Sequence, residues 1–175
     1  MRIKSCFSFM FISLFLTSCS ADSQRAPSAL SSAQIDLLEK FNCEQTVRAY
    51  AHSRDHIDWQ ENIALFTQDA VIQFGALKLE GREQIKQALL ERGPKQFTRH
   101  IIASVSVARR EDGTLSGTSY AVVYGADPNS DEPKPLVDNS VAAILTYNDV
   151  FDSREGRCLI AQRAVTLDMA RQNEQ

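Results

Sequence analysis

The chain has 175 residues, 43% of them hydrophobic and 23% charged, which fits one domain with a real core and excludes a disordered chain. Its formal net charge is −3, and without Arg2 and Lys4 the remaining 17 basic residues face 22 acidic ones, a balance of −5. No run of Lys or Arg is present to contact phosphates, so nucleic acid is excluded as a partner.

Residues 1–18 read as a secretory signal peptide. Arg2 and Lys4 make a positive start, and Phe7 to Leu16 is an apolar stretch too short to span a bilayer. Leu16-Thr-Ser-Cys19 resembles a bacterial lipobox. That resemblance implies cleavage before Cys19, a lipid on its sulfur, and, with Ser20 next, an outer-membrane lipoprotein facing the periplasm. The membrane would then be a partner only through the anchor at Cys19. Ordinary cleavage near Ser20 or Ala21, without a lipid, is the alternative. Residues 19–32, rich in Ser, Ala, Gln and Pro, form a flexible tether. Cys6 leaves with the signal, so Cys43 and Cys158 remain for an oxidising compartment. They either bridge the first helix to the last strand or stay as two separately buried thiols.

Ser31-Ser-Ala-Gln34 matches a capping box, and the helix it starts is expected to end near Arg54 to His56. Its apolar stripe is Ile35, Leu38, Phe41, Val47, Tyr50 and Ala51. Asp58-Trp-Gln-Glu61 is a second capping box, opening a short helix to about Phe66. Asp69 to Phe74 reads as a strand, with Leu77-Lys-Leu79 as its partner. Gly81 precedes a third helix from Arg82 to about Arg92, with Ile85, Ala88 and Leu89 inward and Gly93-Pro94 as its stop. Phe97 to Arg109 alternates: Arg99, Ile101, Ala103, Val105 and Val107 on one side, Thr98, His100, Ile102, Ser104 and Ser106 on the other. Asp112-Gly113 marks a hairpin, and Leu115 to Tyr124 returns with Thr118, Tyr120, Val122 and Tyr124 on one face. A polar loop from Gly125 to Pro135 leads to a long strand, Leu136 to Val150. After a turn from Asp152 to Gly156, Arg157 to Leu167 is the last strand.

Three helices with long antiparallel strands predict an α+β domain over residues 33–169. The strands would curl over the helices into a cone with one open mouth, and residues 170–175 would fray.

Four stretches in order carry a family resemblance: Asp55-His-Ile-Asp-Trp59, Leu65-Phe-Thr-Gln-Asp-Ala-Val71, Gly81-Arg-Glu-Gln-Ile85 and Thr98-Arg-His100. Together they resemble a SnoaL-like domain of the NTF2-like superfamily, alongside scytalone dehydratase and certain polyketide cyclases and steroid isomerases. The resemblance implies a strongly curved antiparallel sheet around helices, a mostly apolar pocket, and often a homodimer through the outer sheet face. It also implies that Asp55 and His100 line the pocket. Three positions depart from the dehydratase pattern: Arg54 replaces a Tyr, Ser119 or Tyr120 stands for a second His, and Gln162 replaces a His in Ile160-Ala-Gln-Arg163.

A carboxylate beside an imidazole suits general acid–base catalysis, so Asp55 and His100 are the catalytic candidates. The reaction would be a cofactor-independent isomerisation, dehydration or cyclisation of a small, partly apolar ligand. Candidate ligand contacts are Tyr50, Trp59, Phe74, Tyr120 and Gln162. A non-enzymatic binding module or a structural dimer is the alternative, since fold does not imply function. His52 and His56 stand at metal-ligand spacing but read as solvated helix-end residues, and no metal or cofactor is expected. Arg99 and Arg163 alternate with apolar residues and are expected on a solvated or dimer face.

Overall fold

Ser31 opens the first helix, α1 (Ser32–His56). Its hydroxyl accepts from the Gln34 N–H at 3.3 Å while its own N–H donates to Gln34 Oε1 at 2.9 Å, a capping box. This is a computed structural model, and it describes residues 29–92, 97–126 and 141–170. The signal peptide, the lipid anchor, most of the tether, the polar loop and the last residues of the chain lie outside the described residues. Every element below belongs to one unit that begins at Ser31.

Ile57 ends α1 in the left-handed region at φ 59°, rare for a β-branched residue. Asp58 then accepts from the Glu61 N–H at 2.9 Å and caps α2 (Trp59–Ala64). The corner is closed from inside by Asn62, fully buried, whose amide donates to Ser53 Oγ at 2.8 Å and to the Tyr50 carbonyl at 3.2 Å. Strands β1 (Phe66–Phe74) and β2 (Leu77–Glu80) form a hairpin, and Gly81 turns into α3 (Arg82–Arg92) with φ +81°. Ile85 and Leu89 of α3 are buried.

The long strands are β3 (Phe97–Arg109), β4 (Leu115–Ala126), β5 (Val141–Arg154) and β6 (Arg157–Ala170). Glu155 at φ 53° and Gly156 at φ 74° form the tight β5–β6 turn, both with the positive φ that a two-residue hairpin favours. The sheet order is β2-β1-β6-β5-β4-β3. One pairing corrects the all-antiparallel expectation: β1 runs parallel to β6. From β3 to β6 each strand runs antiparallel to the next in sequence; β1 instead adds to the free edge of β6 from a different part of the chain.

Register breaks at Ala103, Ala142, Ala161 and Asp168 each leave one residue unopposed and bend the strand. They curve the sheet around α1. They also switch which face a residue occupies, because side chains alternate with period two. On β3, Thr98, His100 and Ile102 face inward before Ala103, and Val105 and Val107 after it. Ile101, 53% exposed, and Ser104 and Ser106 face out. The strict alternation expected across β3 therefore fails at one residue.

The core joins Cys43 and Val47 of α1 to Phe66, Ile85, Leu115, Phe151 and Ile160. Full burial of Phe66 and Ile160 contributes about 1.5–3 kcal/mol each. Cys43 and Cys158 form a disulfide with Cα atoms 5.0 Å apart, tying α1 to β6. Thr46 adds a hydrogen bond to the Cys158 carbonyl at 2.7 Å. The stripe expected on α1 is buried only from Cys43 onward: Ile35 and Leu38 are 46% exposed and Phe41 53%.

Candidate functional site

Asp55 stands in the last turn of α1, where the helix crosses β3. One carboxylate oxygen accepts from His100 Nδ1 at 2.6 Å and from Thr98 Oγ1 at 3.1 Å, and the other accepts the His100 backbone N–H at 2.7 Å. Both side chains are only 8% exposed. Burial opposes ionisation of Asp55, but the hydrogen bonds and charge of His100, with Thr98, outweigh it and hold the carboxyl below its ordinary value. An ionised carboxylate only accepts, so His100 carries its proton on Nδ1. In the neutral ring the lone pair is then on Nε2, which has no protein partner among the described residues. That is the arrangement a general base needs.

A second buried polar group lies deeper in the curve. Strand register sets Val107, Gly117, Asp149 and Arg163 in one row, with Val105, Ser119, Tyr147 and Val165 in the next. Arg163 donates through Nε and Nη2 to the two Asp149 carboxylate oxygens, both at 2.7 Å. Its side chain is 0% exposed and that of Asp149 1%. The guanidinium lies over the rings of Tyr50, at 4.1 Å, and Tyr147, at 4.4 Å. Tyr50 meets Tyr147 and Phe66 edge-on, each at 5.9 Å. Burial works against the Arg163 charge, yet Asp149 more than offsets it and keeps the group charged. Burial, with Tyr50 alongside, pushes the Tyr147 phenol up, so it stays protonated. Arg163 Nη1 and Ser119 Oγ, both buried, have no protein partner among the described residues.

Arg163 corrects the expectation of a solvated or dimer-face arginine. The bulge at Ala161 shifts parity, so Ile160 and Arg163 both turn inward. The same shift turns Gln162 out, where it cannot meet a ligand inside the curve. Tyr120, 50% exposed, is likewise on the outer face, because Ser119 and Ala121 take the inward positions of β4. Phe74, 42% exposed, pairs with Val165 at the sheet's margin, in the row of Tyr147. Trp59 packs half-buried against the core, with the Arg54 guanidinium 5.7 Å from its ring. His52 and His56 stack at 4.1 Å on the exposed face of α1, and His56 Nδ1 bonds to the His52 carbonyl at 2.8 Å. Among the described residues no cluster of His, Cys, Asp or Glu could hold a metal ion.

A trough of about 450 Å³ opens elsewhere, bordered mostly by outward residues such as Gln73, Ser106, Arg110, Thr118, Asn148 and Gln162, with Asp149 and Arg163 also on its lining. None of Asp55, His100, Tyr50 or Trp59 borders it, so it is separate from the acid–base pair.

This order of elements, with an acid and an imidazole joined across α1 and β3, leads to a family. The SnoaL-like domain model matches residues 36–164. The chain belongs to the SnoaL-like domain family. Solved structures of similar fold include ActVI-ORFA from Streptomyces coelicolor, 20% identical over 73% of this chain and 96% of that one, with a TM-score of 0.60. A protein provisionally named a scytalone dehydratase, from Novosphingobium aromaticivorans, is 16% identical over 81% of this chain and 92% of that one, at 0.67. The beta subunit of a provisionally assigned aromatic-ring-hydroxylating dioxygenase, from the same organism, is 16% identical over 78% and 94%, at 0.64. At these identities the likeness is one of fold. No protein of curated function matches the chain significantly.

The buried Tyr50–Arg163–Asp149–Tyr147 group is what sequence reasoning missed in this SnoaL-like domain. The sequence carried no signal for it: hairpin symmetry about Glu155 and Gly156 sets Asp149 opposite Gln162, and only the bulge at Ala161 brings Arg163 into that place.

Proposed function

We propose that this SnoaL-like protein binds a small, partly apolar molecule between α1 and the inner face of the sheet. There it moves a proton beside a carbonyl, isomerising, dehydrating or cyclising the ligand without a cofactor. The observation that carries the reading is the 2.6 Å bond from His100 Nδ1 to Asp55, which orients the ring and leaves Nε2 as the acceptor. His100 Nε2 takes the proton and, as imidazolium beside Asp55, returns it to another carbon or to a departing hydroxyl. Tyr50, Trp59 and Phe74 are the ligand contacts on this reading. Solvent-deuterium exchange into a panel of small cyclic ketones and hydroxyketones tests it by NMR. Exchange should fall by at least about a hundredfold in His100→Ala. Equal exchange in wild type and variant would remove the reading.

A second reading has its own support. Asp55 also accepts the His100 backbone N–H at 2.7 Å, so the pair fastens the end of α1 to β3. A binding module would need that fastening without the chemistry. Saturable ligand uptake with no exchange favours it.

We also propose that the domain is exported, anchored by lipid at Cys19 in the outer membrane, and dimerises through its outer sheet face. The Cys43–Cys158 disulfide supports an oxidising compartment. Mass spectrometry of the N-terminal peptide from a membrane fraction, and of the native protein, checks anchor and dimer.

A further inference from the structure

Two guanidinium groups approach one ring. Arg163 lies 4.1 Å from the Tyr50 centroid and Arg54 lies 6.0 Å from it. Arg54 precedes Asp55 on α1 and is half-buried between Tyr50 and Trp59. Its contacts are ring faces alone: among the described residues it has no hydrogen bond and no carboxylate. A guanidinium has five N–H donors and no acceptor, so a partly desolvated one with only aromatic neighbours is under-satisfied.

Two buried acids of the interior are already engaged. Asp149 is taken bidentately by Arg163, and both oxygens of Asp55 are filled by His100 and Thr98. Asp149 is thus committed to Arg163, whose Nη1 still lacks a protein partner among the described residues. Two aromatic walls beside the guanidinium suit a flat, unsaturated body on the molecule that pairs with it.

From this we infer that the site takes an organic acid: a carboxylate on an aromatic or conjugated body, paired bidentately with Arg54 against Tyr50 and Trp59. This deepens the proposed function by naming the ligand's charge, and it rests on that reading only for where the ligand sits. Arg54 is here a binding residue and takes no part in proton transfer.

Trp59 is the only tryptophan in the sequence, so its fluorescence reports the site directly. Sodium benzoate and the neutral isostere benzamide are titrated into the full-length protein, with Arg54→Gln, Arg54→Lys and Arg110→Gln beside the wild type. Benzoate should give a saturable change that benzamide does not. Arg54→Gln should weaken it by about tenfold to a hundredfold, the range for losing a charge-assisted pair. Arg54→Lys should recover part of the loss, and Arg110→Gln, in the outer trough, should leave it unchanged. Circular dichroism shows whether each variant is folded. Equal response to benzoate and benzamide, no response to either, or a loss in Arg110→Gln instead of Arg54→Gln would overturn the inference. Benzoate binding without any deuterium exchange into ketones would leave this inference standing and remove the acid–base reading instead.

Discussion

His100 gives Asp55 two hydrogen bonds, one from its ring at 2.6 Å and one from its backbone at 2.7 Å. A single carboxylate therefore orients a base and also joins a helix end to an edge strand. The two roles separate in experiment, since only the ring contact serves chemistry.

Removing that carboxylate should cost stability as well as activity. Asp55→Ala leaves two buried N–H groups without their acceptor, and we expect a loss of about 2–3 kcal/mol in urea unfolding. The pH dependence has a definite sign. Asp55 is held below its ordinary value in the folded state, so its contribution is complete above the unfolded value of about 3.9 and is lost as pH falls below it. Wild type should lose stability below about pH 4 more steeply than Asp55→Asn. Parallel curves would show that the carboxylate does not report on folding.

The Arg163–Asp149 pair predicts strong non-additivity. Taking away either partner strands a charge inside the sheet, and Arg163→Met or Asp149→Leu alone should cost about 3–5 kcal/mol. The double variant should cost much less than the two losses added, because it removes both charges together. A double-mutant cycle by chemical denaturation measures the difference. Additive losses would show that the two groups do not interact.

Reduction of the disulfide should be felt across the domain. Cys43 and Cys158 are 115 residues apart in sequence, so the bond restrains a long loop of the unfolded chain. Cys43→Ala with Cys158→Ala should lower unfolding free energy by about 3–5 kcal/mol. Thermal unfolding with and without dithiothreitol gives the same comparison in the wild type. An unchanged midpoint would mean that the restraint is already present in the unfolded ensemble.

Gly117 tests how closely the inner row is packed. A Cβ there would meet the Ser106 carbonyl oxygen at 3.0 Å, Phe151 Cε2 at 3.1 Å and Val107 Cγ2 at 3.2 Å. Gly117→Ala should destabilise by about 1–3 kcal/mol, since one neighbour is backbone and cannot move aside alone. A neutral outcome would show that β4 and the Phe151 ring shift freely.

The amino-acid sequence by itself determined the local events. Ser31 and Gln34 start a helix, Asp58 caps the next, Gly81 and Gly113 turn the chain, and Asp55 and His100 stand out as an acid and a base. Such features depend on neighbours a few residues away. Which side of a strand faced inward was decided only in the tertiary structure, where bulges at Ala103 and Ala161 reversed the alternation and exchanged Gln162 for Arg163. A bulge exists only when a second strand is present to be out of step with, and a buried arginine is tolerable only when Asp149, Tyr50 and Tyr147 surround it.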